Sequence, residues 1–370
     1  ARRFVLKRVA VAFSLVATAA SLVACNAILG LQEPVVDDTI NGDADKPDGV
    51  VPGDAGDGGP QQLVAHRTNH IALDNDNVYY TAAIENLVAR VSKDGTSTLD
   101  LANGVNATYF APYELQIDAT DVFWTSGASI LQCKKTGCNN APTHVVDENA
   151  ADAGSYDIEA YAPDDMQTIY FDSYDSGLDE NTIFSVPKGV ENAPVTKIVD
   201  PADLAFCPTV GQLYYVTGAL YVLCEEGPIA RIDPSTHVVE TITSASAPSS
   251  AEYMVVGGSQ IYYTQFTSTG SVFSLPATPA SDSTPIALDQ VNPDRIDIDQ
   301  QYLYWTVFGS LNDDAAVVRC KLGSCSTTIT PIASKLDTVI DVKTDGTAIY
   351  YSVPGNGDSP TNGIYKVVMP

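Results

Sequence analysis

The side chains of this chain best suited to chemistry are its cysteines and carboxylates, and the cysteines follow a pattern. Cys133 and Cys138 stand five positions apart, and Cys320 and Cys325 repeat that spacing. Two thiols so placed suit a disulfide across a tight hairpin turn, worth roughly 2 kcal/mol on a loop-entropy estimate. Cys207 and Cys224 remain to pair with each other, which leaves Cys25 over. A zinc site would need further thiols or imidazoles nearby, and His66, His70, His144 and His237 are scattered. His66 and His70 have helical spacing, but the stretch that holds them reads as strand and turn. There is no G-x-S-x-G, H-E-x-x-H, P-loop or dinucleotide fingerprint. With 46 Asp and Glu against 19 Lys and Arg, carboxylates are too numerous to single out an acid–base pair.

What must position these residues is a repeat. An aliphatic residue followed by two aromatics occurs as Val78-Tyr79-Tyr80, Val122-Phe123-Trp124, Ile169-Tyr170-Phe171, Leu213-Tyr214-Tyr215, Ile261-Tyr262-Tyr263, Leu303-Tyr304-Trp305 and Ile349-Tyr350-Tyr351. The first aromatics are 44, 47, 44, 48, 42 and 46 residues apart, the period of a four-stranded propeller blade. A blade packed on both faces by its neighbours needs a second strand that is apolar on both sides of the pleat, so this run does not alternate. Five residues ahead of the first aromatic stands Asp74, Asp118, Asp165, Asp299 or Asp345, with Thr209 and Gly257 in the other two units. Such an Asp would accept backbone N–H bonds in the turn between the first two strands.

The expected fold is therefore all-β, a seven-bladed propeller of four-stranded antiparallel blades over residues 61–370. Blade four has an alternative second strand in Leu220-Tyr221-Val222-Leu223. The seventh unit ends after three strands, and Gly59 to Ala65 matches fourth strands elsewhere, so this N-terminal strand should complete blade seven. In this register both C-x4-C pairs fall between the third and fourth strands, in blades two and six.

The unit resembles YWTD-type propeller repeats, in which an aromatic strand is followed by a strand ending in Arg and an Asp-Gly turn. Val88-Ala89-Arg90 with Asp94-Gly95, Ile229-Ala230-Arg231 and Val317-Val318-Arg319 carry the likeness. Those rings usually have six blades, where this chain counts seven. The resemblance implies a propeller but no particular activity.

Residues 1–24 have the build of a signal peptide. Arg2, Arg3, Lys7 and Arg8 precede an apolar run from Val9 to Ala20, which is short for a membrane span. Leu22-Val23-Ala24-Cys25 resembles the lipobox of lipoproteins of Gram-negative bacteria, and the resemblance implies cleavage before Cys25 and its acylation. Asn26 behind it implies outer-membrane sorting. Residues 25–60 then form a linker rich in Asp, Gly and Pro. Without the four cations of the signal segment the chain carries about −31, so nucleic acid is a poor partner. A monomer is expected, with the membrane met only through the lipid.

Function is expected on the propeller face where the loops between second and third strands gather with the blade-to-blade connections. The long ones are 103–113, 172–181, 306–314 and 352–362. They offer Tyr109, Phe110, Tyr113, Tyr174 and Phe308 as contact aromatics, with Phe266 nearby, among Asp175, Asp313 and Asp314. Such a face would bind a protein, peptide or glycan, and its carboxylates could hold Ca2+ or meet a basic partner. No other cofactor is expected. The rival expectations are an enzyme on polysaccharide with carboxylates at the channel mouth, and a structural protein of the cell envelope.

Overall fold

A computed structural model describes residues 59–104, 112–127, 129–147, 160–164, 167–175, 180–225, 227–243, 250–308, 314–355 and 361–369. They form seven four-stranded antiparallel sheets, the blades of a β-propeller. The inner strands, in blade order, are Ile71–Leu73, Leu115–Ile117, Tyr161–Pro163, Val210–Val216, Ala251–Gly257, Pro293–Ile298 and Asp341–Thr344. Among the described residues, helix is confined to single turns at Pro201–Leu204 and Cys325–Thr328.

The hydrophobic core is divided as a ring requires. Seven buried clusters fill the seven gaps between neighbouring blades. Tyr79 of blade one meets Trp124 of blade two in one cluster, and Tyr304 of blade six meets Tyr351 of blade seven in another. Burying rings of this size, roughly 150–250 Å² each, explains why the second strands carry aromatics in pairs: one ring fills the gap on each side.

Blade seven closes as the sequence leads one to expect. Its sheet runs Asp341–Thr344, Ala348–Val353, Gly363–Val368 and then Gln61–Val64. Gln61 lies opposite Lys366 and Val64 opposite Ile364, with a bulge between Gln62 and Val64. Gly363 sits at φ 149°, where an added Cβ would strike the Val64 carbonyl, so this junction needs glycine.

Blade four departs from the main expectation. Leu213-Tyr214-Tyr215 lies on its inner strand, and the second strand is the alternative, Ala219–Cys224. In blade three the segment 172–181 is mostly strand rather than loop. Thr168–Asp175 and Glu180–Pro187 pair out to Asp175 opposite Glu180, leaving a four-residue connection. In blade six the fourth strand starts at Thr330, after the short helix.

The turn aspartates do what their position demands, and more. Asp74 accepts the N–H groups of Asp76 and Asn77 through one oxygen and the Tyr79 hydroxyl at 2.7 Å through the other. Asp299 and Asp345 repeat this with Tyr304 and Tyr350. In blade three Asp164 accepts the Thr168 N–H, while Asp165 lies outside the described residues. Lysines then tie these turns to the next blade. Lys93 reaches Asp345 at 2.8 Å, Lys135 reaches Asp74 at 3.2 Å, and Lys188 reaches Asp118 at 2.7 Å. The three latches run across the interfaces of blades seven–one, one–two and two–three.

The six paired cysteines come together in disulfide geometry. Cα separations are 5.4 Å for Cys133 and Cys138, 5.3 Å for Cys207 and Cys224, and 4.8 Å for Cys320 and Cys325, within the normal range. No helix of the described residues is long and apolar enough to cross a membrane.

Candidate functional site

Each inner strand begins beside the end of the second strand of its blade; Ile71, for instance, lies opposite Tyr80. The first residues of the inner strands therefore gather at the channel mouth, under the long-loop face. A hydroxyl or carboxylate directly after each aromatic pair sets their position. The Thr81 hydroxyl accepts the His70 N–H at 3.2 Å and donates to the Tyr113 carbonyl at 2.8 Å. Thr125 accepts from Glu114, Thr306 from Arg295, Ser352 from Asp341, and the Asp172 carboxylate from Ala160. Thr264 and Ser352 also donate across to the next blade, to the carbonyls of Asp294 and Asn69. Blade four has Leu223 at this place and no such bond.

The groups held there are charged. The Arg295 guanidinium, from blade six, grips both oxygens of Glu114, from blade two. It also lies 3.7 Å from the centroid of the Tyr253 ring. Asp341, from blade seven, accepts the Ile71 N–H at 3.0 Å through one oxygen and Val342 N–H and Lys343 Nζ through the other. His70 stands between the two acids, its Nε2 3.7 Å from Glu114 and its Nδ1 3.8 Å from Asp341. The Tyr113 ring meets it edge-on at 4.6 Å.

Electrostatics keeps these acids ionised. Burial is the largest single influence on Glu114 and works to raise its pKa, but the Arg295 charge, His70 and the Arg295 hydrogen bonds together outweigh it and hold the carboxyl at about 2. Asp341 follows the same pattern: burial raises, Lys343 and its other donors prevail, and the carboxyl stays well below the usual range. One level deeper, Asp297 accepts the Thr344 N–H at 2.7 Å, and burial lifts it to about 6 against the pull of Lys343.

The expected contact residues fare unequally. Tyr113 is half-buried against His70 instead of projecting from a loop. Phe308 is 39% exposed and meets Phe266 edge-on at 6.2 Å, and Asp314 is exposed close by in sequence. Tyr174 and Asp175 end the second strand of blade three, and only their backbone is described. Tyr109, Phe110 and Asp313 lie outside the described residues, as does Cys25. Among the described residues no group of three or more His, Cys, Asp or Glu is arranged to hold a metal ion.

Sequence reasoning passed over the mouth cluster. A readable signal was the polar residue after each aromatic pair, Thr81, Thr125, Asp172, Thr264, Thr306 and Ser352, which marks where an inner strand is pinned.

No protein-family model matches this chain, and no curated protein matches it. Solved structures do match. Virginiamycin B lyase from Staphylococcus aureus superposes with a TM-score of 0.63 at 12% identity, over 84% of this chain and 98% of that one. A catalytically inactive histidine-to-alanine variant of that enzyme with quinupristin gives 0.62 at 14% identity, over 84% and 98%. A streptogramin B lyase gives 0.62 at 11%, over 84% and 97%. At these identities the likeness is one of fold.

Proposed function

We propose that this chain is a lipoprotein of the bacterial cell envelope, held to the outer membrane through acylated Cys25, whose propeller is a non-enzymatic binding module. Its ligand, a protein, peptide or glycan, is taken on the long-loop face. The observation that carries this reading is the state of the mouth acids. Glu114 is gripped by Arg295 and Asp341 by two backbone N–H groups and Lys343, so both are ionised and engaged. Hydrolysis of a glycoside needs one carboxyl that keeps its proton to protonate the leaving group, and neither of these does. A mouth whose two outer acids are ionised and held, beside an aromatic pair, suits recognition, since exposed Phe308 and half-buried Phe266 offer area at little entropic cost.

The test is capture of envelope proteins and arrayed glycans by the full chain, with Phe308→Ser beside the wild type. Loss of capture without loss of melting temperature is the expected result. Equal capture by both would move the site off this rim, and turnover of a captured glycan would overturn the non-enzymatic reading. For the anchor, Cys25→Ala should move the protein out of the detergent phase; unchanged partitioning would refute acylation.

A further inference from the structure

Both ring nitrogens of His70 lack a hydrogen bond, although its side chain is only 2% exposed. Each nitrogen faces a carboxylate oxygen, Nε2 that of Glu114 and Nδ1 that of Asp341. An ionised carboxylate can only accept. A neutral imidazole has one N–H and one lone pair, so in either tautomer one nitrogen turns its lone pair on a negative oxygen. The imidazolium alone can donate on both sides. The two acids also have other donors to hold them: Arg295 for Glu114, and the Ile71 and Val342 N–H groups with Lys343 for Asp341. They therefore stay in place whichever form His70 takes, so the change in protonation acts on the contacts of the ring.

We propose that His70 is a proton-operated clasp across the channel mouth. As imidazolium it joins blade one to Glu114 of blade two and to Asp341 of blade seven; as neutral imidazole it lets go of one of them. The remaining groups about it are the Tyr113 ring from blade two, which meets the imidazole edge-on, the Thr81 hydroxyl, which accepts the His70 backbone N–H, and the cations Arg295 and Lys343, each held on one of the two acids. The two cations oppose its protonation, but each is already drawn onto one of the interposed carboxylates. The clasp reaches from blade one to both neighbouring blades, so it couples the geometry of the mouth to the protonation of one buried ring. It stands whether or not the long-loop face captures a ligand.

The experiment is nitrogen-15 NMR of the full chain with labelled histidine. Substituting His66, His144 and His237 by Gln leaves His70 as the single imidazole and leaves the mouth untouched. At about pH 5.5 both ring nitrogens should carry protons, and by about pH 8 the spectrum should be that of one neutral tautomer. Adding Glu114→Gln should lower the midpoint by about one pH unit, because it removes one of the two charges that draw the proton. The conservative control Tyr113→Phe, which removes no charge, should not move it. A His70 that is neutral at about pH 5.5, or a midpoint unmoved by Glu114→Gln, would overturn the proposal. If the Glu114→Gln protein does not fold, the wild-type protonation state at about pH 5.5 decides alone.

Discussion

Replacing Glu114 by Gln keeps the size and shape of the side chain and removes the charge that Arg295 grips. The guanidinium, with only 10% of its side chain exposed, would then lie in the mouth without a partner ion. Two routes give the cost. Arg295 chiefly holds Glu114 at about 2 against an ordinary 4.5, which converts to about 3 kcal/mol at roughly 1.4 kcal/mol per pH unit. Breaking a buried ion pair by removing one partner costs about 3–5 kcal/mol, and the 24% exposure of Glu114 puts this pair at the lower end. For a domain of about 310 residues, about 3 kcal/mol lowers the melting temperature by roughly 5 °C. The assay is thermal unfolding of the full chain near neutral pH for wild type, Glu114→Gln, Arg295→Met and the double variant. The double variant should be more stable than additivity of the singles allows, since the second substitution removes a charge already stranded. The sign with pH follows from the depressed carboxyl. Its contribution is complete above about pH 4.5 and fades as pH falls toward 2, so wild type and Glu114→Gln should converge on acidification. A single variant melting within about 1 °C of wild type, or additive singles, would refute the reasoning.

Removing residues 1–57 should leave a stable ring, whereas removal through Ala65 takes away the fourth strand of blade seven with buried Leu63 and Val64; equal melting curves would count against closure by that strand. Lys188→Met should cost about 2–4 kcal/mol, because it strands Asp118 between blades two and three, and calorimetry showing no loss would remove the latch from the account. Asp74 and Asp345 are both buried in part, yet hydrogen bonds and lysines hold them below the normal aspartate range. Their stabilisation is present above about pH 3.9 and lost below it, and Lys93→Met should shrink that acid-labile share in melts taken down the pH scale. Peptide mapping of the protein should find Cys207 joined to Cys224; breaking this pair should cost about 1 kcal/mol more than breaking Cys133–Cys138, since it closes the longer loop, and the opposite order would contradict the loop-entropy view.

Local chemistry was enough to read the blades from the amino-acid sequence. A strand buried on both faces must carry consecutive apolar residues, and a turn that needs backbone acceptors must carry Asp, so Val78-Tyr79-Tyr80 and Asp74 announce themselves without reference to distant residues. The closing strand was legible for the same reason, as one matching segment left over at one end and one missing at the other. Blade four was ambiguous because both strands of its first hairpin pack aromatics against the core: Leu213-Tyr214-Tyr215 and Leu220-Tyr221-Val222 satisfy the same apolar rule, and only pairing tells inner from second. The charged mouth belongs wholly to the tertiary structure. Glu114 and Arg295 are 181 residues apart, and Ile71 and Asp341 are 270. Taken singly, Glu114, Arg295 and Asp341 are ordinary charged residues at or near the start of a strand, and Ile71 is an ordinary apolar one. They meet because every inner strand points its first residue at the same axis, and a charge there can lose its water only where the ring, once closed, sets its counter-charge opposite.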